Sequence, residues 1–286
     1  MAATSELLRH LFELPHWFEA HDGLPLYAVF HPARSAGNSP SVVLFCHSLG
    51  LDHLVTWRMD VLAARAIAAG GRPAFSYHAR GHGDSAGSFA DLTFDSLVED
   101  ALDAAGRARE LSGAARIVWV ATRFGALVAA AAMRRRTDSA GLVLWEPVHR
   151  ARDYFHGLMR RRLFFEVANG RRPALNVEQM IQRLGGGREL PLAAEWLHEP
   201  LYRTALDADL ARALDGWNGP TLLAQVQKRE SLSPDNAALL GALLRAGASA
   251  ETVEIVEQPT WENPAEPWWT SPRLIAETNA WLGRMA

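Results

Sequence analysis

Three short segments set a reactive or charged side chain at the centre of a five-residue turn. They are Cys46-His47-Ser48-Leu49-Gly50, Gly83-Asp84-Ser85-Ala86-Gly87 and Ala121-Thr122-Arg123-Phe124-Gly125. A sharp turn between a strand and a helix lifts its central side chain above a sheet, and small flanking residues relieve the crowding. With serine at that apex and a base in reach, the chemistry is nucleophilic acyl transfer. The middle segment matches G-x-S-x-G literally, but a loop rather than a helix follows it, so Ser85 is expected to stabilise a turn. Ser48 is the candidate nucleophile, with His47, His78 or His82 as base; otherwise it is a loop residue at the mouth of a pocket. The third segment has the strand before it and the helix after it, yet arginine stands at the apex. Arginine, with a pKa above about 12, is neither nucleophile nor base. Arg123 would project where a helix N-terminus already favours anions. It either clamps a ligand carboxylate or phosphate or is held by an internal carboxylate.

The elements that must position these turns follow from the apolar pattern. Asp22-Gly23 between two short extended runs signals a hairpin. Residues 42–46 form a continuous apolar run, the pattern of a strand buried on both faces. A helix fits 57–69, stopped by Gly70-Gly71. Residues 73–77 read as a strand, 93–111 as a helix capped by Thr93 to Ser96, 117–121 as a strand, 125–135 as a helix and 142–145 as a strand. This alternation implies an α/β fold, a mostly parallel sheet flanked by helices. The rhythm breaks at Pro147. Residues 149–217 are helical and strand-poor and read as an inserted helical cap, with Arg160, Arg161 and Arg162 beside Leu163, Phe164 and Phe165. Strands resume at 221–226 and 252–256, and a helix closes the chain from Ser271 to Trp281. The domain reading is therefore a core of 1–148 and 218–286 interrupted by a cap of 149–217.

Apolar residues make up 49% of the 286, enough for one large core, and the net charge is −3. Nothing in that balance points to a nucleic-acid partner. The lone cysteine, Cys46, fits a reducing compartment. A cytoplasmic location is expected, because no secretory pattern or membrane-length apolar run is seen. The sequence contains no H-E-x-x-H, C-x-x-C, G-x-G-x-x-G or P-loop, so no metal or cofactor is expected.

Over nearly its whole length the chain resembles the α/β-hydrolase superfamily. Residues 78–85 resemble the D-x-R-G-x-G-x-S loop after that fold's fourth strand. Cys46 to Gly50 falls where the family carries its oxyanion motif. More narrowly, the chain is similar to the exosortase A system-associated hydrolase 2 group, serine-aminopeptidase-like proteins. Residues 121–127, the run Leu142-Val143-Leu144-Trp145-Glu146-Pro147-Val148 with the arginine-rich segment after it, and Pro259-Thr260-Trp261 carry this likeness. The resemblance implies a nucleophile, acid and histidine in that chain order. Arg123 takes the nucleophile position. Glu230, in Gln227-Lys228-Arg229-Glu230-Ser231-Leu232-Ser233-Pro234, takes the acid position. Trp261 stands at the histidine position, and no histidine follows His198.

Two functions are compatible with these residues. One is a non-hydrolytic binding or regulatory member, a degenerate triad holding a small anionic or acyl ligand at Arg123. In it His47, Ser48, Phe124, Trp145, Glu146 and Trp261 line the pocket, Glu146 or Glu230 partners Arg123, and Trp268 and Trp269 add aromatic surface. The alternative is an enzyme with a relocated catalytic set, an esterase- or thioesterase-like acyl hydrolase or a lyase, using Ser48 and a nearby histidine such as His47.

Overall fold

A computed structural model describes residues 13–34, 39–192, 195–228, 230–259, 261 and 270–285. Arg229, Trp268 and Trp269 lie outside them. Strands β1 (Leu14–Glu19) and β2 (Pro25–His31) form the hairpin around Asp22-Gly23. Then follow β3 (Ser41–Cys46), α1 (Gly50–Ala69), β4 (Ala74–Tyr77), α2 (Phe94–Ser112), β5 (Arg116–Thr122), α3 (Gly125–Met133) and β6 (Ser139–Trp145). Between β6 and the next sheet strand come α4 (Ala151–Ala168), α5 (Val177–Gly185), the two-residue strands β7 (Leu190–Pro191) and β8 (Trp196–Leu197), α6 (Glu199–Ala205) and α7 (Leu210–Ala213). The chain rejoins the sheet in β9 (Thr221–Gln227), followed by α8 (Pro234–Arg245), β10 (Ala250–Val256) and α9 (Pro272–Arg284).

The eight-stranded sheet has the order β1-β2-β4-β3-β5-β6-β9-β10. β1 to β2 and β2 to β4 are antiparallel, and the other neighbours are parallel. Successive side chains of a strand face opposite sides, which explains the unbroken apolar runs. Val42 and Leu44 pack with Trp119, Leu142 and Leu144 in one core. Val43 and Phe45 pack with Val118, Val120 and Trp145 in the other, which includes Met59 of α1 and Trp281 of α9.

Two elements differ from expectation. Helix α1 starts at Gly50 rather than 57, because its first turns bury polar residues that read as loop: Asp52 and Thr56 are both buried. No side chain of its N-cap Leu49 caps it; instead the Glu195 carboxylate accepts from Leu51 N at 3.0 Å. Helix α8 goes unanticipated, although Ser233 caps it by accepting from Asn236 N and Pro234 opens it.

Candidate active site

The parallel strands deliver their C-terminal ends to one edge of the sheet, where open α/β sheets bind ligands. β5 ends there in a strained apex: Arg123 has φ 51°, a left-handed conformation that costs a non-glycine residue about 1–2 kcal/mol. The turn is fixed from both sides. Arg123 N donates to Trp145 O at 3.0 Å, and Arg123 O accepts from Ala126 N and Val148 N, both at 3.1 Å. Gly125 is required because a Cβ there would overlap the carbonyl oxygens of Cys46 and His47. The sharp turn from β5 into α3 thus carries a cation at its apex.

The Arg123 side chain is mostly buried and closely held. Its Nε donates to Asp52 Oδ2 at 3.3 Å and its Nη1 to the carbonyl of Glu146 at 3.3 Å. The guanidinium carbon lies 5.0 Å from the centre of the Trp261 ring, within cation–π range. Asp52, from the first turn of α1, also accepts from Tyr154 Oη at 3.2 Å, and Arg161 Nη1 stands 4.0 Å from its Oδ1. Two cations from different elements thus share one buried carboxylate. Glu195 closes the same corner. A Cβ on Gly50 would overlap its Oε2, so the carboxylate rests against a glycine backbone. Burial, reinforced by the Asp52 charge, pushes Glu195 up to about 7.

Three expected partners move. Glu146, also at positive φ (42°), turns its carboxylate away from Arg123, accepting from Val226 N and Gln227 Nε2, each at 2.8 Å. It gives Arg123 its backbone oxygen and ties β6 to β9. Glu230 is exposed, so the carboxylate that partners Arg123 is Asp52 instead. Trp145 walls no pocket: it is fully buried in the core, donating Nε1 to Thr278 Oγ1 at 3.0 Å. Alternation along β6 sends it to the side packed by α9. Phe124, also buried, stacks with Tyr154 and Phe155 of α4 at 5.4 and 5.7 Å.

Ser48 is buried beside the elbow, and its Oγ accepts from Phe124 N at 3.4 Å. The N–H after an elbow apex is one donor of an oxyanion hole; here a side chain of the chain itself occupies it. His47 points elsewhere. Its Nδ1 donates to Asp60 Oδ2 at 2.8 Å, while Asp60 Oδ1 lies 3.4 Å from Thr122 Oγ1. Ser85 is a turn residue, donating to His78 O at 2.6 Å and accepting from Tyr27 N at 2.8 Å.

Behind Ser48 lies a histidine cluster that sequence spacing conceals. His53 sits 5.0 Å from His47, 5.7 Å from His78 and 5.8 Å from His82, between ring centres. Trp57 lies 4.5 Å from His78. His82 Nδ1 donates to Arg80 O, and His78 Nδ1 accepts from Asp84 N. In this cluster four buried nitrogens have no hydrogen-bond partner among the described residues: His47 Nε2, His53 Nδ1, His78 Nε2 and His82 Nε2. A cavity of about 20 Å³ touches His47, Ser48, His53 and His82, room for one water. Burial depresses the basicity of the cluster: His78 falls to about 4, His53 well below the usual histidine range, and His82 in the same direction. Among the described residues no group of three or more His, Cys, Asp or Glu is placed to hold a metal ion.

Residues 37–214 match the model of the Hydrolase_4 family, serine aminopeptidase, S33. Solved structures share the fold at low identity. Est1E of Butyrivibrio proteoclasticus with ferulic acid bound superposes with a TM-score of 0.67 at 16% identity, over 94% of this chain and 98% of that one. An esterase of Pyrococcus furiosus gives 0.65 at 12% identity, over 98% and 93%. DcsB in complex with its substrate analogue gives 0.64 at 14% identity, over 96% and 99%. No curated protein matches the chain. The chain belongs to the serine aminopeptidase S33 family of α/β-hydrolase-fold proteins.

Proposed function

We propose that, within this hydrolase family, the chain is a non-hydrolytic member that binds a small anionic group, a carboxylate or phosphate of an acyl-type ligand, at Arg123. One observation carries the reading: the elbow apex that would present a nucleophile presents a guanidinium, bound to Asp52 and covered by Trp261. Trp261 stands in the histidine position, and an indole cannot shuttle protons. The charge balance supports an anion. Arg123 and Arg161 face Asp52, and Glu195 is half-neutral near pH 7, so the corner lacks a full negative complement. The resemblance to the exosortase A system-associated hydrolase 2 group supports the same reading, since arginine at the elbow fits that pattern.

The test is thermal melting with octanoate and with inorganic phosphate as probes. A saturable rise in melting temperature with either, lost in Arg123→Gln, is expected. A wild-type protein unmoved by both, or an undiminished rise in Arg123→Gln, removes Arg123 as the anion site.

A second reading has its own observation. The buried His47–Asp60 pair leaves Nε2 free of partners, the arrangement of a general base oriented by a carboxylate. Ser48 would then be the nucleophile of an acyl hydrolase, although its hydroxyl now accepts from Phe124 N. Intact-mass analysis with a fluorophosphonate separates the two. No adduct is expected; a stoichiometric adduct on Ser48 would replace the first reading with the second.

A further inference from the structure

Helix α4 has two working faces. Inward, Tyr154 reaches Asp52, Phe155 and Met159 are buried, and Arg161 stands 4.0 Å from the Asp52 carboxylate. Outward, Arg160, Phe164 and Val167 follow at intervals of four and three, which places them along one side of the helix. Phe164 is 70% and Val167 61% exposed, and Phe165 beside them is 39% exposed. Arg171 and Arg172, both exposed, come directly after the helix end. Residues 160–172 hold five arginines and a single acid, Glu166, in a chain whose net charge is −3. That acid is already spent on Arg162, at 2.9 Å. Arg162 also donates to Pro191 O at 2.6 Å, fastening the β7–β8 hairpin to α4. In that hairpin Pro191 pairs with Trp196, itself 49% exposed.

We infer that the outer face of α4, Phe164, Phe165 and Val167 ringed by Arg160, Arg171 and Arg172, docks onto an anionic lipid surface. An apolar tip enters the boundary between headgroups and acyl chains while arginines pair with lipid phosphates, their stems lying along the apolar surface. The excess of positive charge argues against a second copy of the chain as occupant, because the two patches would repel. The patch is the exposed last turn of a helix rather than a groove, which suits a bilayer better than an acidic peptide. Among the described residues no helix is long and apolar enough to cross a membrane, so the attachment is peripheral. It is independent of what binds at Arg123.

Vesicle sedimentation tests the inference. The full chain is expected to partition onto phosphatidylcholine vesicles containing phosphatidylglycerol and not onto phosphatidylcholine alone, with binding that weakens as salt rises. Phe164→Ser/Phe165→Ser is expected to lower partitioning about tenfold or more. Arg160→Gln/Arg171→Gln/Arg172→Gln is expected to lower it about a hundredfold at low salt. Both variants change exposed side chains, so their melting should match the wild type. Absence of partitioning overturns the inference, as does undiminished partitioning of the phenylalanine variant. Binding to soluble polyglutamate with no binding to vesicles assigns the patch to an acidic protein and overturns it equally.

Discussion

The Arg123 corner and the histidine cluster both border Ser48, and they handle burial in opposite ways. In the corner, charges are kept and compensated: Arg123 has a carboxylate, a carbonyl and an aromatic face, and Asp52 has two cations and a phenol. In the cluster, charge is given up. Four rings lie close together, each with a buried nitrogen that has no partner among the described residues, and burial lowers the basicity of His53, His78 and His82. The first arrangement is rigid at neutral pH because removing either partner strands the other. The second is stable only while its rings remain neutral. The fold thus holds a site of paired charges at the strand-to-helix turn beside an acid-sensitive one.

The largest way to break this contrast is Asp52→Ala. It leaves Arg123 and Arg161 without their shared carboxylate and is expected to cost about 3–5 kcal/mol in denaturant unfolding. A midpoint close to wild type would show that the corner charges are solvated rather than coupled.

Acid should act on the cluster in a defined direction. A histidine whose folded value lies below its unfolded value of about 6.5 favours the native state less as pH falls, because the unfolded chain takes the proton first. For His78, at about 4, the loss runs from pH 6.5 down to 4 and reaches up to about 3 kcal/mol. His78→Gln removes this contribution, so its stability relative to wild type is expected to climb as pH falls from 6.5 to 4 in melting curves recorded across this range. An unchanged slope would place the acid sensitivity elsewhere.

Glu195 sharpens the comparison with the opposite sign. Its folded value, about 7, lies above the usual carboxylate range, so the native state holds its proton longer and stability falls as pH rises from about 4.5 to 7. Glu195→Gln keeps an acceptor for Leu51 N and removes the titration. Its melting temperature relative to wild type should therefore climb between pH 5 and 8; a constant difference would dismiss Glu195 as a titrating contact. The two slopes oppose below pH 6.5, so the wild-type profile should be flatter than that of either variant.

The smallest effect concerns the apex. Arg123→Gly and Arg123→Ala both remove the guanidinium, but glycine also relieves the left-handed backbone. Glycine should be the milder change by about 1 kcal/mol. Equal losses would mean that the turn does not hold strain in solution.

Unbroken apolar runs and turn residues made the sheet legible, because a strand covered on both faces must be apolar throughout: residues 42–46 and 117–121 carry that pattern. The elbow was equally readable, since strand, apex and Gly125 are contiguous. The partner of the arginine was not. Asp52 falls outside the helix that the apolar pattern suggests, and it meets Arg123 only because α1 begins seven residues earlier, at Gly50. Glu146 looked like the partner, but main-chain geometry at φ 42° turned its carboxylate toward β9.

The sequence by itself determined which side chains are present at each turn, and that no histidine follows His198. Only the tertiary structure decided which charges meet. Local patterning specifies a residue's face and element. Pairing depends on contacts between segments far apart in the chain, such as Asp52 with Tyr154 or Leu51 with Glu195, 102 and 144 positions apart. The histidine cluster arises in the same way. His47, His53, His78 and His82 belong to three separate segments, and the packing of α1 against the ends of β3 and β4 brings them together, where burial lowers the basicity of His53, His78 and His82.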